Sequence, residues 1–318
     1  MILSQGKKSL MVSLSYNLSV LFRTLLIVAL AAGMTIMSAD GLHADDKIPV
    51  YVSILPQQYF VQQIGKNLVD VQVMVPPGAS PATYEPRPAQ MKALGQTKLY
   101  FSIGVPFESV WLKKFTDINS TMAVIQTDDG IQKRFMKNHV CEETVSRPAD
   151  GHEHTEHIPD PHIWLSPPLV MLQVRNILVG LQRIDPAHRA AYDENYRSFI
   201  QKLVVLDEQL RRLFADTPNK PFMVLHPAWG YFAQAYGLSQ IPIETEGKDP
   251  KPAQLGKLID FARQNELKII LAQPQSSARF ADQVAQAVNG KVVYADPLSP
   301  EWENNLLEVA RKIKTTLQ

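Results

Sequence analysis

From residue 50 onward, apolar and polar positions follow two rhythms. Four short β-rich runs, 50–55, 69–75, 98–103 and 122–127, alternate with helical stretches such as 57–66 and 88–95. The rhythm returns later, with runs at 222–225, 240–243, 268–272 and 291–294 and helical stretches at 228–236, 252–265 and 277–288. Strands alternating with helices predict βαβ units and parallel sheets. Between the two halves lie 167–184 and 186–215. In the second, Tyr192, Tyr196, Phe199, Leu203, Leu206, Leu210 and Leu213 recur at alternating steps of 4 and 3, one stripe of a helix. Asp185 is placed to cap that helix, with Pro186 at its first position. Its length would be roughly 45 Å at 1.5 Å per residue, a stiff strut along both halves; a coiled-coil dimer seam would need more heptads. The expected fold class is α/β: two lobes, each a mostly parallel sheet flanked by helices, bridged by one long α-helix. The expected division is 1–44, an amino-terminal lobe 45–166, connecting helices 167–216 with the long linker helix 186–215, and a carboxyl-terminal lobe 217–318.

Residues 1–44 break the pattern. Lys7, Lys8 and Arg23 precede an apolar run over 24–37, and Ala44 stands before Asp45-Asp46. These are the parts of a secretory signal peptide. The run is about 14 residues, short of the ~20 that span a bilayer. Met11 is an alternative start, Leu42 is large for a residue three before a cleavage site, and an uncleaved anchor is the other reading. The one cysteine, Cys141, is far from this run, so the expectation is a periplasmic protein without a lipid anchor. A single cysteine also excludes an intrachain disulfide framework or a zinc ribbon. At 45% apolar and 20% charged residues the chain is that of a folded protein, and a net charge of +1 makes no case for nucleic acid as a partner. The expected state is a monomer.

Histidines carry the chemistry. Five of the eight fall between His139 and His162. His152, His154 and His157 sit in an acidic stretch without apolar periodicity, part of a histidine-rich loop near 139–157. Imidazole beside carboxylate favours zinc, and a loop that must be ordered on binding captures metal weakly; a merely polar loop is the plain alternative. Stronger candidates stand singly. His162 lies in Asp160-Pro-His-Ile-Trp-Leu-Ser-Pro167. His226 follows the run at 222–225, and Asp296 follows the run at 291–294. In open parallel sheets ligands collect at the carboxyl ends of strands. Each residue also has a plain reading: a histidine packed beside proline and tryptophan, an aspartate that starts a turn. The loop 76–86, with four prolines and Gly78, suits a rigid cleft wall. Its Glu85 is a candidate ligand, or an acceptor behind one, or only a charge at the start of the helix at Pro88.

Taken together, these motifs resemble the metal-binding solute-binding proteins of ABC transporters, in particular the zinc-uptake branch. The resemblance runs through Ile54-Leu-Pro-Gln-Gln-Tyr-Phe60, the 76–86 loop, Gly104-Val-Pro-Phe-Glu108, Asp160–Pro167, His226-Pro-Ala-Trp-Gly-Tyr-Phe232, Ile243-Glu-Thr-Glu-Gly-Lys248 and Asp296-Pro-Leu298. It implies a protein that holds a divalent metal ion in an interlobe cleft, with His162, His226 and Asp296 as ligands, and passes it to the membrane permease. It implies Zn2+ as transported ligand, with Mn2+ or Fe2+ as alternatives preferring more oxygen donors. Trp164 and Trp229 are expected in the pocket wall, or else in the core. One departure stands out: the family often carries histidine where this chain has Ala82. That leaves three protein ligands plus water, or Glu85, or a histidine from 152–157 to complete the shell.

A zinc hydrolase would also use two histidines and a carboxylate with an open position. No His-Glu-x-x-His helix or Gly-x-Ser-x-Gly elbow occurs, so the expectation is a binding protein and not an enzyme.

Overall fold

The computed structural model describes residues 47–136, 159–244 and 248–317. The proposed export segment 1–44 and the stretch with His152, His154 and His157 lie outside the described residues.

The amino-terminal lobe runs β1 (Ile48–Val52), α1 (Leu55–Gly65), β2 (Val69–Val73), α2 (Pro88–Leu94), β3 (Leu99–Ser102), α3 (Pro106–Ile118) and β4 (Ala123–Gln126). Its strands are parallel in the order β2-β1-β3-β4. Val50, Val52, Leu99, Tyr100 and Phe101 are buried, which is why β1 and β3 read as continuous apolar runs: a parallel sheet is covered on both faces. Prolines 56, 88 and 106 stand in the first turns of α1, α2 and α3, where a missing N–H costs nothing. Helix α3 goes beyond the predicted elements. It buries only Phe107, Glu108 and Phe115, too sparse a set to give an apolar period.

Next come α4 (Pro167–Ile184) and α5 (Arg189–Phe214). The predicted stripe of α5 holds: Tyr192, Phe199, Leu203, Leu206 and Leu210 are buried, and Tyr196 and Leu213 lie at its margin. Its 26 residues make about 39 Å. The start differs from the expectation. A 3-10 turn, Pro186–His188, precedes the α-helix, so Asp185 stands at the head of that turn. Its carboxylate accepts from the Tyr192 hydroxyl and pairs with His188 Nδ1, both at 2.7 Å.

The carboxyl-terminal lobe runs β5 (Pro221–Val224), α6 (Gly230–Ala235), β6 (Ser239–Pro242), α7 (Pro252–Gln264), β7 (Ile269–Ala272), α8 (Arg279–Ala287), β8 (Lys291–Tyr294) and α9 (Trp302–Thr316). Its parallel order is β6-β5-β7-β8. Helix α9 also goes beyond the predicted elements; it buries Trp302, Leu306, Val309, Ala310 and Ile313. Through Trp302 it reaches the amino lobe: the indole meets Phe60 edge-on at 5.0 Å and donates to the Trp164 carbonyl at 2.8 Å. One buried cluster therefore joins side chains of both lobes, and a second is confined to the carboxyl lobe.

In each sheet the strand order reverses once, between β1 and β3 and between β5 and β7. Such reversals open a crevice at the carboxyl ends of the strands. Among the described residues no helix is long and apolar enough to cross a membrane.

Candidate metal centre

The two crevices meet in one cavity of about 290 Å³, to which the amino lobe contributes Ala82, Val105 and Pro106 and the carboxyl lobe His226, Gln273 and Pro297. His162, on the segment that enters α4, lines it as well. The rings of His162 and His226 stand 5.3 Å apart, inclined at 73°.

His226 is placed by β5, which ends two residues earlier. Val224 pairs with Pro242 of β6, and carrying that register forward sets His226 beside Glu244. The contact is made: Nδ1 of His226 lies 3.0 Å from Glu244 Oε2. His162 is held by its own neighbour. Asp160 Oδ1 accepts from the His162 backbone N–H at 3.0 Å and sits 2.7 Å from its Nδ1. An ionised carboxylate only accepts, so each Nδ1 carries a proton, and in the neutral ring the lone pair is left on Nε2. This is the arrangement by which carboxylates orient metal-binding imidazoles. Burial lowers the pKa of His162, against the opposing pull of Asp160, which keeps the ring neutral and able to ligate.

The other predicted residues are placed differently. Asp296 is not brought together with the histidines. Strand β7 lies between β5 and β8, so the carboxyl end of β8 is two strand spacings, roughly 10 Å, from that of β5. Asp296 Oδ1 accepts from Gln275 Nε2 at 2.7 Å and from the Leu298 N–H at 2.9 Å, and the residue lines a separate cavity of about 50 Å³. Among the described residues no three His, Cys, Asp or Glu side chains are close enough to share an ion. Glu85 is exposed and lines neither cavity. Trp164 does line the larger one, with its indole N–H on the Pro297 carbonyl at 2.7 Å. Trp229 does not; its ring is buried against Phe232 at 5.8 Å, in the core where an apolar ring at the start of α6 is best covered.

Sequence reasoning assigned no role to several residues around the site. Asp160 and Glu244 sit inside quoted motifs; Asp160 meets its imidazole within one short segment, whereas Glu244 meets His226 through the pairing of β5 with β6. Tyr231 of α6 donates to the Asp160 carbonyl at 2.9 Å and accepts the Arg134 N–H at 2.9 Å. Arg134 in turn donates to the Gly230 carbonyl, so the segment bearing His162 is tied to the carboxyl lobe. At the carboxyl ends of β1 and β3 the buried carboxylate of Glu108 takes the Ser53 hydroxyl and the N–H groups of Ile103 and Gly104, the last at 2.7 Å. Burial pushes its pKa up to about 7, although those hydrogen bonds oppose the shift.

Residues 50–318 match the family described as ZnuA, zinc-uptake complex component A, periplasmic. The high-affinity zinc uptake system protein ZnuA of Bacillus subtilis (strain 168) is 30% identical over 271 residues, covering 84% of this chain and 83% of its own. A crystal structure of ZnuA is similar with a TM-score of 0.79 and 38% identity, over 86% of this chain and 100% of that one. A deletion mutant of ZnuA with zinc bound is similar with a TM-score of 0.77 and 37% identity, over 86% of this chain and 99% of that one.

Proposed function

Because the chain belongs to the zinc-uptake complex component A family, we propose that it is the zinc-binding solute-binding protein of an ABC transporter, capturing the ion between its lobes and delivering it to the membrane permease. The observation that carries this reading is the pair His162 and His226, whose rings approach within 5.3 Å while a carboxylate holds Nδ1 of each. Two neutral imidazole nitrogens suit zinc better than manganese or ferrous iron. Asp296 joins the shell only if Gln275 releases it; otherwise the remaining positions belong to non-protein donors. Glu85, exposed, is left to charge the start of α2.

Capture needs the imidazoles neutral, and acid releases the ion. The interlobe bonds from Trp164 to Pro297 and from Tyr231 to Asp160, with the shared core, favour a small tilt of the lobes over a wide hinge; permease docking supplies the work of opening. The protein acts as a carrier and not an enzyme: the carboxylates nearest the histidines are engaged in orienting them. Residues 1–44 direct export to the periplasm, 45–166 and 217–318 form the lobes, 167–216 join them, and the 139–157 stretch gathers zinc weakly through His152, His154 and His157.

Zinc titrated into metal-stripped protein by calorimetry tests the reading. One tight site is expected, weakened at least tenfold in His162→Ala and in His226→Ala. Unchanged affinity in both variants overturns it.

A further inference from the structure

Gln275 follows β7, the strand that lies between β5 and β8, so it stands between the turn bearing His226 and the turn bearing Asp296. It lines both the larger cavity that holds the histidines and the smaller one that holds Asp296. The two ends of its amide are used unequally. Nε2 donates to Asp296 Oδ1 at 2.7 Å, and a bond to a carboxylate is among the stronger ones. Oε1 is buried and has no hydrogen-bond partner among the described residues, and a buried acceptor left unpaired is costly. The pose that holds Asp296 therefore carries a penalty that leaving it would remove. Asp296 does not depend on Gln275 for its place in the chain. The Leu298 N–H also donates to Oδ1 at 2.9 Å, and Asn305 Nδ2 donates to the Asp296 backbone carbonyl at 2.7 Å. Loss of the Gln275 bond thus frees the carboxylate without unseating the turn.

We propose that Gln275 is a positioning residue that competes with the captured ion for Asp296. This rests on the metal-capture reading above. While Gln275 Nε2 holds the carboxylate, zinc is caught by His162 and His226 alone. When the amide swings aside, the wall between the two cavities opens and Asp296 turns toward the ion. Strand ends roughly 10 Å apart leave room for an ion between an imidazole and a carboxylate that reach toward one another. The carboxylate brings the negative charge that two neutral imidazoles do not supply. Recapture of Asp296 by Gln275 withdraws that donor and weakens the site at handover. The Gln275 bond thus sets the affinity below what the donors alone would give, which suits a carrier that must release its cargo.

The test is zinc affinity, by competition with a chromophoric chelator, in the metal-stripped full chain and in Gln275→Ala, Asp296→Asn and the double variant. A hydrogen bond to a charged group is strong enough to shift an equilibrium about tenfold, so Gln275→Ala should bind zinc about tenfold more tightly than the parent. Asp296→Asn should bind more weakly, and in its background the gain from Gln275→Ala should vanish. With cobalt(II) in place of zinc, the visible bands of the parent and of Gln275→Ala should coincide, and those of Asp296→Asn should differ, because the donor set changes only there. Affinity in Gln275→Ala equal to the parent's or lower, the outcome of a purely structural role, overturns the inference and leaves the capture reading standing. A gain that persists in the double variant, or cobalt bands unchanged in Asp296→Asn, also overturns it. No zinc bound by the parent overturns both.

Discussion

Trp164 donates its indole N–H to the carbonyl of Pro297 at 2.7 Å, and so couples the segment bearing His162 to the turn bearing Asp296. The same residue offers its own carbonyl to Trp302 of α9 at 2.8 Å. Trp164 is 1% exposed and Trp302 likewise 1%. These two bonds, one in each direction, hold the lobes together next to the cavity.

Trp164→Phe keeps an aromatic ring but deletes the donor, leaving a buried carbonyl unpaired. The expected cost is about 1–3 kcal/mol of stability, read as a lower midpoint of denaturant unfolding. A midpoint equal to that of the parent would show that this bond contributes nothing to lobe association.

Asp160→Asn and Glu244→Gln replace a charged acceptor with an amide that can present either end to Nδ1. The tautomer of the partner histidine is then no longer imposed. Zinc affinity should fall by about 10–100-fold in each, measured by competition with a chromophoric chelator, while the unfolding midpoint changes little for the more accessible Glu244. Wild-type affinity in both would mean that the carboxylates do not set the rings.

Removal of residues 151–157 deletes three histidines together. The tight zinc-binding event should persist, and the number of weakly bound zinc ions per chain should drop, as counted by calorimetry at high zinc. Loss of the tight event would place a ligand in this stretch.

Glu108, at 3% exposure, makes stability depend on pH. Its pKa rises from 4.5 to about 7 on folding, chiefly through burial. The folded state thus keeps a proton that the unfolded chain gives up. The stability tied to this proton is full below pH about 4.5 and is lost as pH climbs through 7, by an amount on the order of 3 kcal/mol. In Glu108→Gln that slope should vanish: unfolding midpoints taken from pH 5 to 8 should fall for the parent and stay flatter for the variant. Parallel curves would show that Glu108 is already ionised at pH 5.

The histidines at strand ends and the long stripe of α5 were legible because each depends only on local order along the chain. A run of β-formers tells where a strand stops, and the residue after it is exposed at the sheet's edge; that is enough to single out His226 and Asp296. It does not tell which strands are neighbours. With β7 inserted between β5 and β8, two residues that look equivalent in sequence end up with different partners, Glu244 for His226 and Gln275 for Asp296.

Trp229 shows the same limit from another side. Its place after His226-Pro-Ala suggests a pocket wall, yet the ring is covered by Phe232, because burial follows the nearest apolar surface and not the distance from the histidine. The sequence by itself determined the strands, their alternation with helices, and the presence of Ala82 where the resembling family often carries histidine. Only the tertiary structure decided that His162 and His226 meet, that Glu244 stands behind His226, and that Asp296 is held on Gln275, because those facts depend on strand order and lobe packing, which bring together residues that local periodicity leaves unrelated.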